Sequence, residues 1–467
     1  MPYEGELANK ASHFDLVQDP EIKNFLHECD YLQEPSEEEG NNRTDNFTLI
    51  PNLDIVKFPE QIIAIDGSYY SSRIRDRLPS TEVGYIKISS VLIDLNNFGG
   101  LKVGKFVDPF KVAKLLNNSD SLKFIVPSAN ICWNGNNSVR DSLRAAIDKH
   151  LYSEKTRFDP ANPKTSLRTT LFHLASRRPS EMGTGNVNKL KIHKCPNIQD
   201  CKQKNIEVFD ISDKQYCPSC NTEIYPSDCL RLWEEVNEWQ SNEFVMSRFM
   251  GIVEHLLPIH YVRNLADSSL SALASTAFFL DRPLGVFGTA AWLHKPILSY
   301  LAEVNNRLAS RNKPPVMMIG LQKRGQIVDY VSLIDRFIEP NTIYPIDDNY
   351  RYKYIVPGRK PSQGGFGSET YYGQDFIYKT ASGRTFIFAL PYPFATNNFP
   401  GFTEEKVQLN NYQNLPLALA LINKFECDLY ENAIIPIALA NQYTAISLVP
   451  GGQVLDIATR KSLESTL

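Results

Sequence analysis

The chain has 467 residues, of which 42% are hydrophobic and 22% charged, and its formal net charge is −4. This is an ordinary globular composition, long enough for one large domain with insertions or for two domains. It offers no global basic surface, so a contact with nucleic acid has to come from a local patch or an assembled channel. No apolar run approaches the roughly 20 residues of a membrane span. The start, MPYEGELANK, contains acids and lacks an apolar core, so it is not read as a signal peptide, and the expected location is the cytoplasm.

Residues 1–48 form a polar N-terminal segment. His13–Cys29 is read as a short helix there, and Glu37, Glu38 and Glu39 as a solvated acidic loop. A core follows over 49–190, resumes over 231–467, and is interrupted by an insertion at 191–230. In Gln61–Tyr70, QIIAIDGSYY, the run Ile62, Ile63, Ala64 and Ile65 leads into Asp66, Gly67 and Ser68. The pattern predicts a buried strand that ends at the acid, with Gly67 allowing a ligand to come close. An Asp-Gly turn between strands is the competing reading.

Gly84–Leu95 is a second strand. Arg73, Arg75 and Arg77, between the two, are candidate phosphate contacts. Gly99–Phe106 has the glycines and Lys105 of a phosphate loop, but Phe106 stands where a hydroxyl must hold Mg²⁺. No ATPase is therefore expected in this chain. Residues 137–180 read as helical and basic. Arg140, Arg144, Lys149, Arg168, Arg177 and Arg178 make that region a candidate nucleic-acid surface.

Five of the eight cysteines lie between positions 195 and 229. In a cytosolic setting such a cluster argues for metal rather than disulfides. The turn of Cys217-Pro-Ser-Cys220 suits two thiolates on one ion. Cys195 and Cys201 supply two more, giving a closed structural Zn²⁺ site of ribbon type. His193 or Cys229 could substitute for one ligand.

Leu230–Tyr261 has a long helical pattern with Glu254 inside its apolar stretch, GIVEHLLPIHY. An acid there is costly unless it is paired or holds a metal. Thr276–Asp281, TAFFLD, repeats the plan of an apolar run ending in an acid. Asp66, Glu254 and Asp281 are thus candidate ligands for one or two Mg²⁺ or Mn²⁺ ions, which hard carboxylate oxygens suit. In Val316–Tyr330, Lys323 and Arg324 follow an apolar run and could neutralise a transferring phosphate. Val356–Tyr371 is a Gly- and Pro-rich loop with Arg359 and Lys360 as candidate DNA contacts. Asp375–Tyr392 reads as a hairpin about Ser382-Gly383, Leu415–Phe425 as a helix, and Ile434–Val449 as a further apolar segment.

The stretches IAIDGS, RFMGIVEHL, FFLDRPLGVFG and IGLQKRG, in this order and followed by LPLALALINK, resemble the NurA nucleases. The resemblance covers most of the chain from about residue 50 onward. It implies an α/β fold: a ribonuclease H-like mixed sheet flanked by helices, here with an inserted zinc-ribbon-like segment. It implies a manganese-dependent DNA nuclease that works with a HerA-type hexameric ATPase in DNA end processing or anti-phage defence, as a homodimer. The family's three acidic ligands map onto Asp66, Glu254 and Asp281, with Glu243 as the alternative to Glu254, and Lys323 matches a basic position near the site. The family's C-terminal Tyr-Pro and Ala-His are replaced by Leu415-Pro416 and Ile422-Asn423, so Tyr412 or Tyr392 would have to substitute. Two rival readings follow: a catalytically weak or inactive DNA- and partner-binding subunit, or a ribonuclease H-like enzyme acting on RNA or a guide-loaded duplex.

Overall fold

The computed structural model describes residues 14, 16–29, 32–50, 53, 56–75, 77–96, 102–103, 106–107, 119–197, 199–357, 370–427, 433–446 and 451–464. Its main strands in chain order are β1 (Thr48–Leu49), β2 (Gln61–Arg75), β3 (Leu78–Asp94), β4 (Ser119–Pro127), β5 (Lys189–Lys194), β6 (Lys204–Phe209), β7 (Gln215–Tyr216) and β8 (Glu223–Ile224). They continue with β9 (Thr276–Leu280), β10 (Met317–Gln322), β11 (Thr342–Pro345), β12 (Gly373–Lys379) and β13 (Thr385–Pro391). Nine of these form one sheet in the order β1-β11-β12-β13-β10-β9-β2-β3-β4. Strands β2, β3 and β4 run antiparallel, while β9 lies parallel to both β2 and β10. Three antiparallel strands joined to two parallel ones form the expected ribonuclease H-like mixed sheet.

The central strands read as continuous apolar runs because both faces of the sheet are covered. Alternate residues go to opposite cores. Ile65, Phe278, Leu280 and Met318 face a core with α1 (Val139–Tyr152), α2 (Leu167–Ala175), α3 (Glu243–Ser268) and α4 (His294–Ala309). Ile62, Ala64, Ala277, Phe279, Ile319 and Leu321 face a second core with α5 (Leu415–Phe425) and α6 (Ile435–Thr444). A last helix, α7 (Gly451–Glu464), lies against β2, where Asp456 accepts hydrogen bonds from Tyr70 (2.9 Å) and Ser72 (2.6 Å).

Three sequence expectations need correction. β2 does not end at Asp66. It runs nine residues further because β3 supplies a ladder partner at nearly every position from Asp66 to Arg75. The acid run at Glu37 is not a loop but the first turn of a helix, Glu37–Thr44. Ser36 caps it, its backbone amide bonding Glu39 (3.0 Å), and acids in the first turn suit the helix dipole. Within the basic region around 137–180, Arg144 and Arg168 are not part of a free surface. Arg144 makes a bidentate pair with Asp228 (2.8 and 2.7 Å) and a bond to Asp141 (2.7 Å). Arg168 bonds Asp210 (3.0 Å) and Asp148 (3.3 Å) and stacks on Tyr152. Both guanidiniums are buried, and they clamp α1 and α2 to the cysteine-bearing segment.

That segment consists of the β5–β6 hairpin and the short β7–β8 hairpin. Its apolar residues Leu190, Ile192, Ile206 and Val208 belong to the α3-side core, so it is packed on the domain rather than hanging from it. In the Gly99–Phe106 region the described residues are Lys102–Val103, paired with Phe106–Val107, and the rest of the region lies outside the described residues. Among the described residues, no helix is long and apolar enough to cross a membrane.

Candidate active site

The register of β2 with β9 builds the site. Leu280 pairs with Ile65, and the Asp281 amide donates to the Ile65 carbonyl (3.2 Å). Asp281 and Asp66 therefore stand side by side on the face that Ile62, Ala64, Ala277 and Phe279 share. Their carboxyls come within hydrogen-bond reach of each other. On β10 the same alternation, Met317, Ile319 and Leu321, carries Lys323 to that face, where its ammonium is ion-paired with Asp281. Three adjacent strands thus deliver two acids and a lysine to one spot.

Glu254 arrives from the opposite face, on the buried middle of α3. Two glycines make room for it. An atom added at the Cβ position of Gly67 would lie 2.7 Å from Glu254 Oε1 and 2.8 Å from Met250 Cγ. One added at Gly251 would lie 2.5 Å from Arg282 Nη1. Arg282, which directly follows Asp281, ion-pairs with Glu254 through the opening. Gly67 is thus required within the strand by close approach of a carboxylate, not by a turn.

Burial dominates the electrostatics. It pushes the Asp66 carboxyl up to about 7, the Asp281 charge adding to the rise and Lys323 opposing it. It pushes Glu254 up to about 8 against the pull of Arg282, with Asp66 and Asp281 adding to the rise. The Gly67 amide donates to Asp66 Oδ1 (2.8 Å), and Thr444 on α6 donates to Oδ2 (3.4 Å). Two cationic side chains thus face three carboxyls, and the remaining negative charge needs a proton or a metal to match it. The donor set, buried hard oxygens, fits a divalent cation. The carboxylates are drawn toward Lys323 and Arg282, and among the described residues only the cysteines bring three or more potential ligand atoms within 4.8 Å of one another.

Those cysteines are Cys195, Cys201, Cys217 and Cys220. The Sγ–Sγ separations are 3.6 Å for Cys195–Cys220 and 3.7 Å for Cys201–Cys217. A tetrahedron with metal–sulfur bonds of about 2.3 Å has edges near 3.8 Å, so the four thiols match a closed metal site. Cys229 is buried outside the cluster, and His193 is exposed on β5.

The other expected site residues fall as follows. Arg324 is exposed beside Lys323. Arg73 and Arg75 lie seven and nine residues along β2 from Asp66, roughly 23–30 Å away at 3.3 Å per residue. Arg168 is taken up by its ion pairs and cannot reach DNA. Arg359 and Lys360 lie outside the described residues. Glu243 is exposed at the start of α3, three turns from Glu254. Tyr412 spends its hydroxyl on the Lys406 carbonyl (2.5 Å). From the register Gly320↔Ala389, Tyr392 falls beside Met317, at the opposite end of β10 from Lys323. The Asn423 side chain accepts from Tyr378 (2.5 Å). Arg282 and Thr444 escaped the sequence reading. Arg282 was visible as the residue following Asp281, whereas nothing local marks Thr444.

A family model of the NurA domain matches residues 60–446. The chain belongs to the NurA family of nucleases. The matched span contains Asp66, Glu254, Asp281, Lys323 and the four cysteines, and ends just before α7. No curated protein matches the chain.

Proposed function

We propose that this NurA-family protein is a divalent-metal-dependent deoxyribonuclease. The observation that carries the reading is the convergence of Asp66 and Asp281 from adjacent parallel strands with Glu254 reaching past Gly67. Asp66, Glu254 and Asp281 would hold one or two Mn²⁺ or Mg²⁺ ions. Such ions, when bound, activate water and stabilise the leaving oxygen of a phosphodiester. Lys323 neutralises charge on the phosphate, and exposed Arg324 holds the strand beside it. The raised Asp66 and Glu254 carboxyls must give up their protons before they can act as ligands, so metal binding and cleavage rise with pH through the range 7–8.

The further reading is a homodimer working with a HerA-type hexameric ATPase in DNA end processing or anti-phage defence. A chain without a phosphate loop fits a nuclease fed by a separate motor. Its rival is a weak or inactive DNA- and partner-binding subunit, favoured by Asn423, which stands in place of the family's His and accepts a hydrogen bond from Tyr378. Cleavage of linear single- and double-stranded DNA with Mn²⁺, with and without a HerA-type partner and ATP, decides between them. Cutting that Asp66→Ala and Asp281→Ala both abolish supports the nuclease. No cutting under any condition, with folding and partner binding intact, leaves the binding subunit.

Two further outcomes are expected. Gly67→Ala forces Glu254 or Met250 aside, costing about 1–3 kcal/mol by overpacking and cleavage roughly 10²-fold by misplacing Glu254. Urea melts and single-turnover rates measure the two effects; a variant with normal rates would mean that Glu254 is not a ligand. The Cys₄ cluster is read as structural Zn²⁺. One zinc per chain is expected by elemental analysis, and Cys217→Ser or strong chelation should release it and lower the melting temperature.

A further inference from the structure

Strands β3 and β4 pair so that Lys87 stands directly opposite Lys123. Like charges at directly opposed positions destabilise a sheet. Among the described residues, neither ammonium has an ion-pair partner. Asp120, the only acid of β4, points to the other face of the sheet, toward Tyr261 on α3. Lys123 is exposed and Lys87 half-buried.

The face on which the two lysines stand is the informative point. Ser89, two residues beyond Lys87, pairs with Asp66 and bonds the Ala440 carbonyl of α6 (2.9 Å). By strand alternation Lys87 and Lys123 share the face that carries Asp66, Asp281 and Lys323. Lys87 pairs with Ser68, two residues along β2 from Asp66. With strands about 4.8 Å apart and a rise of about 3.3 Å, the two lysine Cα atoms lie ~8 and ~12 Å from that of Asp66. The acids and the lysine pair thus define a line across the sheet.

We propose that Lys87 and Lys123 form a phosphate-binding track that holds the backbone of a nucleic-acid strand on the flank of the acidic site. The mutual repulsion across β3 and β4 is relieved when a polyanion lies between the two ammoniums. The proposal rests on the nuclease reading for its substrate, but not for its geometry.

The test uses the full chain, a fluorescent single-stranded oligonucleotide and EDTA, with affinity followed against salt. Lys87→Gln and Lys123→Gln should each lower the slope of log K against log salt by about 0.7, and the double variant by about twice that. Arg311→Gln, an exposed charge removed elsewhere, should leave the slope unchanged. Lys123→Glu should weaken binding further while raising the melting temperature, because it turns a repulsive cross-strand pair into an attractive one. Binding that falls while stability rises excludes simple misfolding. A double variant with the wild-type slope overturns the proposal, as does a wild-type chain that binds no oligonucleotide. Cleavage with Mn²⁺ is scored separately. Lowered slopes without any cutting keep the track and remove the nuclease. Cutting with unchanged slopes does the reverse.

Discussion

Asp66→Asn should cut DNA at least ~10³-fold more slowly, since metal and charge stabilisation of this kind is worth several kcal/mol. It should also make the metal-free protein more stable. The wild-type Asp66 carboxyl is held at about 7 by burial and by Asp281, whereas an unfolded Asp titrates near ~4. Between those values the folded state keeps a proton that the unfolded state has lost. Stability is therefore full below pH ~4 and falls as pH rises toward 7. Asparagine carries no such charge and can still accept from the Gly67 amide. The gap between variant and wild type should be small at pH 5 and widest at pH 8, up to a few kcal/mol. Added Mn²⁺ should narrow it by stabilising the wild type alone. Thermal melts across pH, with and without Mn²⁺, read all of this. A variant that is less stable than wild type at pH 8 would assign Asp66 to scaffolding instead.

The second large effect is structural. Arg144→Ala or Asp228→Ala should each cost about 3–5 kcal/mol, because removing either partner strands the other's charge in the interior. Both side chains are 3% exposed or less. The damage should spread to the cysteine-bearing segment, since Arg144 also holds the Glu223 carbonyl (2.8 Å) on β8. Zinc retention and urea midpoints should fall together. Replacing the pair by Met and Leu should recover much of the loss. Arg73→Ala, at an exposed position, should stay within about 0.5 kcal/mol.

These two sites show what could be read without coordinates. The convergence of the acids was legible because residues 62–65 and Thr276–Leu280 are apolar runs each followed by a single Asp, and α3 carries one Glu within an apolar stretch. The cysteine site was legible because a CxxC turn fixes ligand spacing locally. The extent of β2 was not. After Asp66 the chain reads Gly-Ser-Tyr-Tyr-Ser-Ser, which resembles a turn, and only the distant partner β3 keeps it extended. Arg144 and Arg168 were misread for a similar reason. An arginine on a helix reads as a solvated charge until tertiary packing brings Asp228, Asp148 and Asp210 to it. Lys87 and Lys123 stayed hidden because their register, not their neighbours in sequence, sets them opposite each other.

The parallel pairing of β9 beside β2 also bears on how the chain comes into being. Asp66 gains its neighbour Asp281 only after more than two hundred further residues have been made, and Lys323 comes later still. At ribosomal rates of about 5–20 residues per second, this takes on the order of tens of seconds. A nascent or prematurely ended chain lacking β9 and β10 therefore holds its first aspartate without Asp281 and Lys323. Synthesis itself withholds the paired aspartates until more than half of the chain has been made.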